Sequence, residues 1–266
     1  MKLVVKVGGQ AAEEKSIRRR LARQVATLRG AGQDVVLVHG GGKLLTQTLA
    51  RLGIRTEFKE GLRVTDAATR DVALMVLAGI ANKQWVAEIE ARGQRAVGIC
   101  GGDAGLVRAR KMQLGGRGTR ADLGYVGQAQ EVNTSVLETA FEHSWVPVVA
   151  SLALGPRGEY YNLNADDLAA ALAEALRADR LLYLTESGGV WDSAKKRLPL
   201  VRVNEIPRLI HDGVVRDGMI PKLRACARTL ARNVSEIDIL SPTVPDGLLR
   251  TVNSRQRVGT RIVRAG

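Results

Sequence analysis

Lys6 stands within an apolar run, directly ahead of Val7 and the pair Gly8-Gly9. An ammonium group there is costly to bury unless an anion lies close by. A diglycine, in turn, lets a phosphoryl oxygen reach backbone N–H groups. The same stretch also fits a lysine at a strand edge followed by an ordinary turn. A second glycine turn, Gly40-Gly41-Gly42, follows Val36-Leu37-Val38-His39 and precedes Lys43. A P-loop requires four residues between its first glycine and a Gly-Lys pair, and then Ser or Thr for a metal ion. Leu44 and Leu45 follow Lys43, so this turn is not a P-loop. A helix opening near Lys43 presents free N–H groups and a positive dipole end, which suit a carboxylate as well as a phosphate.

Further along, Arg63 lies between Leu62 and Val64 in EGLRVTD, at the expected start of a helix. Arginine is the natural two-pronged clamp for a carboxylate, although a surface ion pair also accounts for it. NLNADD brings Asn162, Asn164 and Asp166 to a helix start, a pattern that an N-cap with an acidic first turn also explains. Lys222 ends GMIPK and opens a helix-forming segment, and TESGGVWD begins straight after an apolar strand. His39 is read as structural, since no nucleophile or acid pairs with it. His143, His211, Cys100 and Cys226 show no metal-ligand spacing, and so low a cysteine content points to a reduced, cytoplasmic setting.

Strand and helix patterns alternate along the chain. Residues 3–7, 34–38, 96–100, 146–150 and 180–184 are expected as strands, and 11–28, 43–52 and 67–91 as helices, the last capped by Thr65 or Asp66. Residues 106–130 and 152–162 contain glycine turns and are expected as hairpins at the edges of the sheet. The alternation predicts an α/β fold with a largely parallel sheet covered on both faces. Ligands of such sheets gather at the carboxyl ends of the strands, where the turns described above fall. A soft lobe boundary is expected near residues 162–166, giving an N-terminal lobe of residues 1–165 and a C-terminal lobe of residues 166–266.

Composition narrows the functional classes. Of 266 residues, 45% are hydrophobic, and no apolar run approaches the roughly 20 residues that cross a bilayer. The formal charge is +13, but aromatic residues are only 3%, too few to offer stacking platforms for single strands. A nucleic-acid partner is therefore not expected, nor is a membrane. A small anionic ligand is.

Taken in order, KVGG, VHGGG, GLRVTD, LAGIANK, GGDAGLVRARK, LGYVGQ, NLNADD, TESGGVWD, DGMIPK and the terminal GTRIV resemble the amino acid kinase family. The likeness is strongest to its members that phosphorylate the γ-carboxylate of N-acetyl-L-glutamate in arginine biosynthesis. It implies an open three-layer α/β/α sandwich with an eight-stranded, mainly parallel sheet, the N-terminal lobe holding the acyl amino acid and the C-terminal lobe ATP. By resemblance, Gly41 and Gly42 receive the substrate end to be phosphorylated, while Arg63 and Asn162 hold the amino acid. Lys6 and Lys222 neutralise charge on the transferring phosphoryl group, Asp166 holds those lysines, and Gly8 and Gly9 contact phosphate. The nucleotide side corresponds to Glu186, Ser187, Gly188, Gly189, Val190 and Trp191, together with Val214, Val215 and Arg216. Mg2+ would arrive with ATP, without direct protein ligands. A homodimer is implied, through the N-terminal lobe and its helix 67–91. The alternatives are a glutamate or 2-aminoadipate linked to an acidic carrier protein, which the charge would suit, and N-succinylglutamate. A catalytically dead binder on the same fold is disfavoured by the presence of Lys6, Asp166 and Lys222.

The chain departs from the family pattern in places. Glu186 replaces a common aspartate, and Ser187-Gly188-Gly189 is looser than the usual turn. Residues 237–244, IDILSPTV, lack the motif of arginine-regulated members, and the sequence starts at its first strand rather than at an extra helix. Feedback by arginine is therefore not expected. Turnover should be unchanged when millimolar free arginine is titrated in at constant ionic strength; dose-dependent inhibition would contradict this.

Overall fold

The strand that bears Lys6, β1 (Lys2–Val7), is apolar on both sides: Leu3, Val5 and Val7 enter one buried cluster and Val4 another. Such a strand has to be covered on both faces. A computed structural model describes residues 1–9, 14–113, 122–215, 219–253 and 258–265. In it, β1 lies inside an eight-stranded sheet. The other strands are β2 (Asp34–His39), β3 (Ala96–Cys100), β4 (Val146–Ala150), β5 (Arg180–Leu184), β6 (Leu200–Arg202), β7 (Glu236–Leu240) and β8 (Thr260–Val263). Their order is β6-β8-β7-β5-β1-β2-β4-β3, and every pairing is parallel except β7 with β8. The sheet continues without a break across residue 165, so the two expected lobes share it.

Helices cover both faces. α1 (Lys15–Gly30) repeats Ile17, Leu21, Val25 and Leu28 on one side and buries them against Leu3, Val5 and Leu37. The helix expected from residue 11 is thus described from Lys15; residues 11–13 lie outside the described residues. α2 (Gly42–Arg51) follows the triglycine turn. α3 (Ala67–Ala73) starts where the Asp66 carboxylate accepts a hydrogen bond from Thr69 N at 2.8 Å, an N-cap. It runs through a wider π-helical stretch, Leu74–Ala81, into α4 (Asn82–Glu90). This continuous helix is long and apolar enough to cross a membrane, contrary to the expectation of no such run. It nevertheless buries Val72, Val76, Leu77, Trp85 and Ile89 against the protein, as a core helix does, and leaves Met75 and Ile80 exposed. α5 (Ser135–Glu142), α6 (Ala165–Leu176) and α8 (Met219–Leu230) cover the opposite face, after the short α7 (Ile206–His211). α9 (Gly247–Asn253) joins α1 and α4. The three-layer α/β/α sandwich is the predicted fold.

One expectation is corrected. The strands Val107–Lys111, Val126–Val132, Leu152–Leu154 and Tyr160–Leu163 do not extend the sheet edges but close on one another as a separate small barrel. Closure leaves no open edge to pair with another chain. Gly101 makes the departure from β3 possible: a Cβ there would meet the Leu152 carbonyl oxygen at 2.6 Å. Residues 114–121 of the expected first hairpin lie outside the described residues.

His39 ends β2 in full burial. Its Nδ1–H donates to Gly40 O at 2.8 Å, and its Nε2 accepts from Asn82 Nδ2 at 3.2 Å, so the neutral ring satisfies both partners. Asn82 also reaches Val148 O at 2.9 Å and Ile99 O at 3.2 Å, tying β2, β3 and β4 together. Burial lowers the His39 pKa from 6.5 to about 4, against a smaller raising effect of the Gly40 carbonyl. Between those values the unfolded chain binds the extra proton, so folding stability rises with pH across that window. Acidification from pH 7 to 5 should therefore lower the melting temperature, by the equivalent of roughly 1–2 kcal/mol. In His39→Gln the slope over this interval should flatten whatever the absolute stability; an unchanged slope would acquit the histidine.

Candidate active site

Strand alternation puts Lys6 on the face of Val4, below the start of α6. Its Nζ lies 2.7 Å from Asp166 Oδ1, and Lys222 Nζ lies 2.7 Å from Oδ2 of the same carboxylate. Asp166 thus bridges an ammonium from the first strand and one from the first turns of α8. Burial pushes the Asp166 pKa up, but the attraction and hydrogen bonds of both lysines outweigh it, and the net shift is downward. Its neighbour Asp167 moves upward, through burial first and repulsion by Asp166 second. Asn164 caps α6, its Oδ1 accepting from Asp166 N at 2.8 Å and Asp167 N at 3.4 Å. The cap, which could by itself explain NLNADD, here orients the bridging acid.

The diglycine has a local reason that the sequence did not suggest. A Cβ on Gly8 would fall 2.2 Å from Lys6 Nζ, so this residue must lack a side chain for the ammonium to stand where it does. Gly9 has φ of +62°, and a Cβ there would come within 2.8 Å of Glu186 Oε1. The turn after β5 therefore touches the turn after β1, and Glu186 joins Gly8 and Gly9.

A cavity of about 200 Å³ is lined by Gly41, Gly42, Arg63, Asn162 and, directly ahead of Asp166, the α6 start at Asn164 and Ala165. Its apolar walls include Leu45, Leu62, Leu77 and Val126. Gly41 is packed closely under Leu77 of the π-helical stretch. Arg63 is not at a helix start, as EGLRVTD suggested. It ends a tight hairpin formed by Phe58–Lys59 and Leu62–Arg63, whose turn residues Glu60 and Gly61 have φ of 50° and 78°. Two successive positive φ values match the twist of a two-residue hairpin, which outcompetes helix initiation until Asp66. The hairpin folds Arg63 back over α2: Nη2 donates to Thr46 Oγ1 at 2.7 Å and Gly42 O at 3.1 Å, and Nη1 to Thr56 Oγ1 at 3.2 Å. The guanidinium also lies 4.7 Å from the Phe58 ring centre. Burial lowers its pKa, yet arginine stays charged. Thr46, Thr56 and Phe58 escaped the sequence reading, because nothing local links them to an arginine on another element.

On the expected nucleotide side, residues 185–191 follow β5. Gly188 has φ of +64°, Thr185 and Ser187 hydroxyls pair at 2.8 Å, and Trp191 Nε1 donates to Ser187 O at 2.7 Å while its ring remains exposed. The side chains of Val190 and Val215 belong instead to the apolar core, so only their backbones can face a ligand. Val214 is partly exposed; Arg216 lies outside the described residues. The assembly brings two ammonium groups and a buried guanidinium to the carboxyl ends of β1, β2 and β5, a charge set that can chemically serve phosphoryl transfer to a small acid.

Residues 1–241 match the model of the amino acid kinase family. The acetylglutamate kinase of Koribacter versatilis is 46% identical over 263 residues, covering 99% of both chains. That of Acidobacterium capsulatum is 45% identical with the same coverage. Among solved structures, N-acetylglutamate synthase from Neisseria gonorrhoeae, complexed with coenzyme A and N-acetyl-glutamate, superposes with a TM-score of 0.87 at 24% identity. The chain is covered completely in that match but spans only 60% of the synthase, so the likeness concerns the fold. With the family model matched along most of its length and full-length relatives well above 30% identity, the chain belongs to the amino acid kinase family.

Proposed function

We propose that the chain is an acetylglutamate kinase, transferring the γ-phosphoryl group of ATP to the γ-carboxylate of N-acetyl-L-glutamate as a step of arginine biosynthesis. The observation that carries this reading is the Lys6–Asp166–Lys222 bridge beside a cavity holding Arg63. The names of the full-length relatives support the acceptor. No observation favours a carrier-linked glutamate or 2-aminoadipate, or N-succinylglutamate.

The acceptor carboxylate, with an ordinary pKa near 4, is already a nucleophile at neutral pH, so no general base is required. Catalysis then rests on alignment and charge stabilisation. Arg63 holds the α-carboxylate, Asn162 hydrogen-bonds the amino acid, and the N–H groups at Gly41 and Gly42 face the γ-carboxylate. Lys6 and Lys222 approach the transferring phosphoryl from the two sides of Asp166, with Gly8 and Gly9 against its oxygens. Each lysine supplies roughly 2–4 kcal/mol, on the scale of single oxyanion donors. The true nucleotide substrate is MgATP, its metal held by phosphate oxygens, with the adenosine against Glu186, Ser187, Gly188, Gly189 and Trp191 and the backbone of Val190, Val214 and Val215. On this reading residues 1–165 form the acyl amino acid lobe and 166–266 the ATP lobe. Two copies join through the outer side of residues 67–90, where Met75 and Ile80 are exposed. The enzyme works in the cytoplasm.

The direct assay traps acyl phosphate with hydroxylamine, using MgATP and a panel of N-acetylglutamate, N-succinylglutamate, glutamate and 2-aminoadipate. Hydroxamate should form with N-acetylglutamate; none with any acceptor would overturn the proposal. Arg63→Lys keeps the charge but loses the fork, so KM for the acyl amino acid should rise while KM for ATP stays nearly constant. Equal changes in both would show that Arg63 is no dedicated clamp. Lys6→Ala and Lys222→Ala should each reduce kcat on the order of 10²–10³, with weaker effects on ground-state binding. Asp166→Asn should be similarly severe, because both ammonium groups lose their shared anchor. Normal turnover of both folded lysine variants would remove the phosphoryl-transfer role.

A further inference from the structure

Tyr183 is the register partner of Lys6 in the parallel pairing of β1 with β5, so the two side chains stand next to each other on one face of the sheet. The tyrosine is 2% exposed. Its hydroxyl donates to the backbone oxygen of Asp166 at 3.2 Å. Its ring centre lies 5.1 Å from Lys222 Nζ. One side chain therefore touches the element bearing the bridging acid and the ammonium on α8, and flanks the other ammonium.

We infer that Tyr183 is a positioning residue for Lys222: the ring face seats the ammonium that Asp166 binds, and the hydroxyl keys that ring to the first turn of α6. This deepens the phosphoryl-transfer reading and, for its effect on rate, rests on it. The physical case is one of charge. A second carboxylate beneath Lys222 would hold it firmly but cancel the positive charge that a phosphoryl group requires. An aromatic quadrupole attracts the cation within about 6 Å without neutralising it. Burial keeps the tyrosine hydroxyl protonated, since its pKa is raised well above 10 by desolvation first and by Cys226 and Asp166 after it. The hydroxyl is thus a permanent donor, and the ring a permanent floor.

The ring and the hydroxyl separate experimentally. Tyr183→Phe keeps the floor, whereas Tyr183→Leu and the longer Tyr183→Met remove it. Leu182→Ala, on the opposite sheet face and fully buried, serves as a control for destabilisation alone. On folded protein, the Leu and Met variants should lose kcat by roughly 3- to 30-fold, the range of a partly desolvated cation–π contact, with KM for either substrate changing by less than about twofold. Tyr183→Phe should restore turnover to within about threefold of wild type, and Leu182→Ala should lower the melting temperature but not kcat. A second measurement is independent of turnover: competitive labelling of lysines by acetic anhydride, read by mass spectrometry. Lys222 should label faster in the Leu and Met variants than in wild type or Tyr183→Phe. Equal kcat losses in Phe and Leu variants, a comparable loss in Leu182→Ala, or unchanged Lys222 labelling would overturn the inference. If wild type makes no acyl phosphate the proposed function fails instead, and the labelling still decides whether Tyr183 seats Lys222.

Discussion

Two ammonium groups drawn to one small space repel each other, and the single carboxylate of Asp166 is what allows Lys6 and Lys222 to coexist there. At about 4 Å separation and an effective dielectric near 20, two like charges oppose each other by roughly 4 kcal/mol. A shared anion converts that repulsion into two attractions. Together the three groups retain one net positive charge, at the start of the helix whose Asn164 and Ala165 line the cavity. The downward shift of the Asp166 pKa in spite of its burial expresses the same balance.

Much of the surrounding structure serves that bridge. β1, paired with β5 on one side and β2 on the other up to Val7, must end level with both, so that Lys6 lies at the carboxyl ends of three strands, where ligands of such sheets gather. Gly8 must be bare for Lys6 to rise out of the strand. α6 must begin at Asn164, whose side chain takes the first N–H groups and so fixes the direction of Asp166. α8 packs against α6 and β7, and from there Lys222 reaches the opposite oxygen. The bridge therefore joins residues from the first strand, a middle helix and a late helix, and through them the two halves of the chain.

The second half of the site is built on another principle. His39 and Asn82 form a buried, neutral hydrogen-bonded pair that holds the Gly40 carbonyl, and hence the turn on which α2 opens. The tight Phe58–Arg63 hairpin then lays Arg63 across that opening, where Gly42 and Thr46 receive its donors. The bridge is thus set by charge neutralisation and the Arg63 side of the cavity by hydrogen bonds to neutral partners, which leave the guanidinium without a carboxylate among its described hydrogen-bond partners.

Sequence by itself determined the repeating strand and helix pattern, because periodicity follows directly from which faces must be buried; the strands at 96–100, 146–150 and 180–184 coincide with β3, β4 and β5. It also marked Lys6, the glycine turns, Arg63, NLNADD and Lys222 as chemically unusual, since a lysine in an apolar strand or two acids at a helix start is conspicuous without coordinates. Their meeting on Asp166 was legible only through family resemblance. Tertiary structure alone decided that the strands expected as edge hairpins close into a barrel, that Val190 and Val215 turn into the core, that Gly8 makes room for Lys6, and that Tyr183 lies under Lys222. Each of these depends on contacts between residues far apart in the chain, and local sequence pattern reports which surfaces need burial but not which distant surface will bury them.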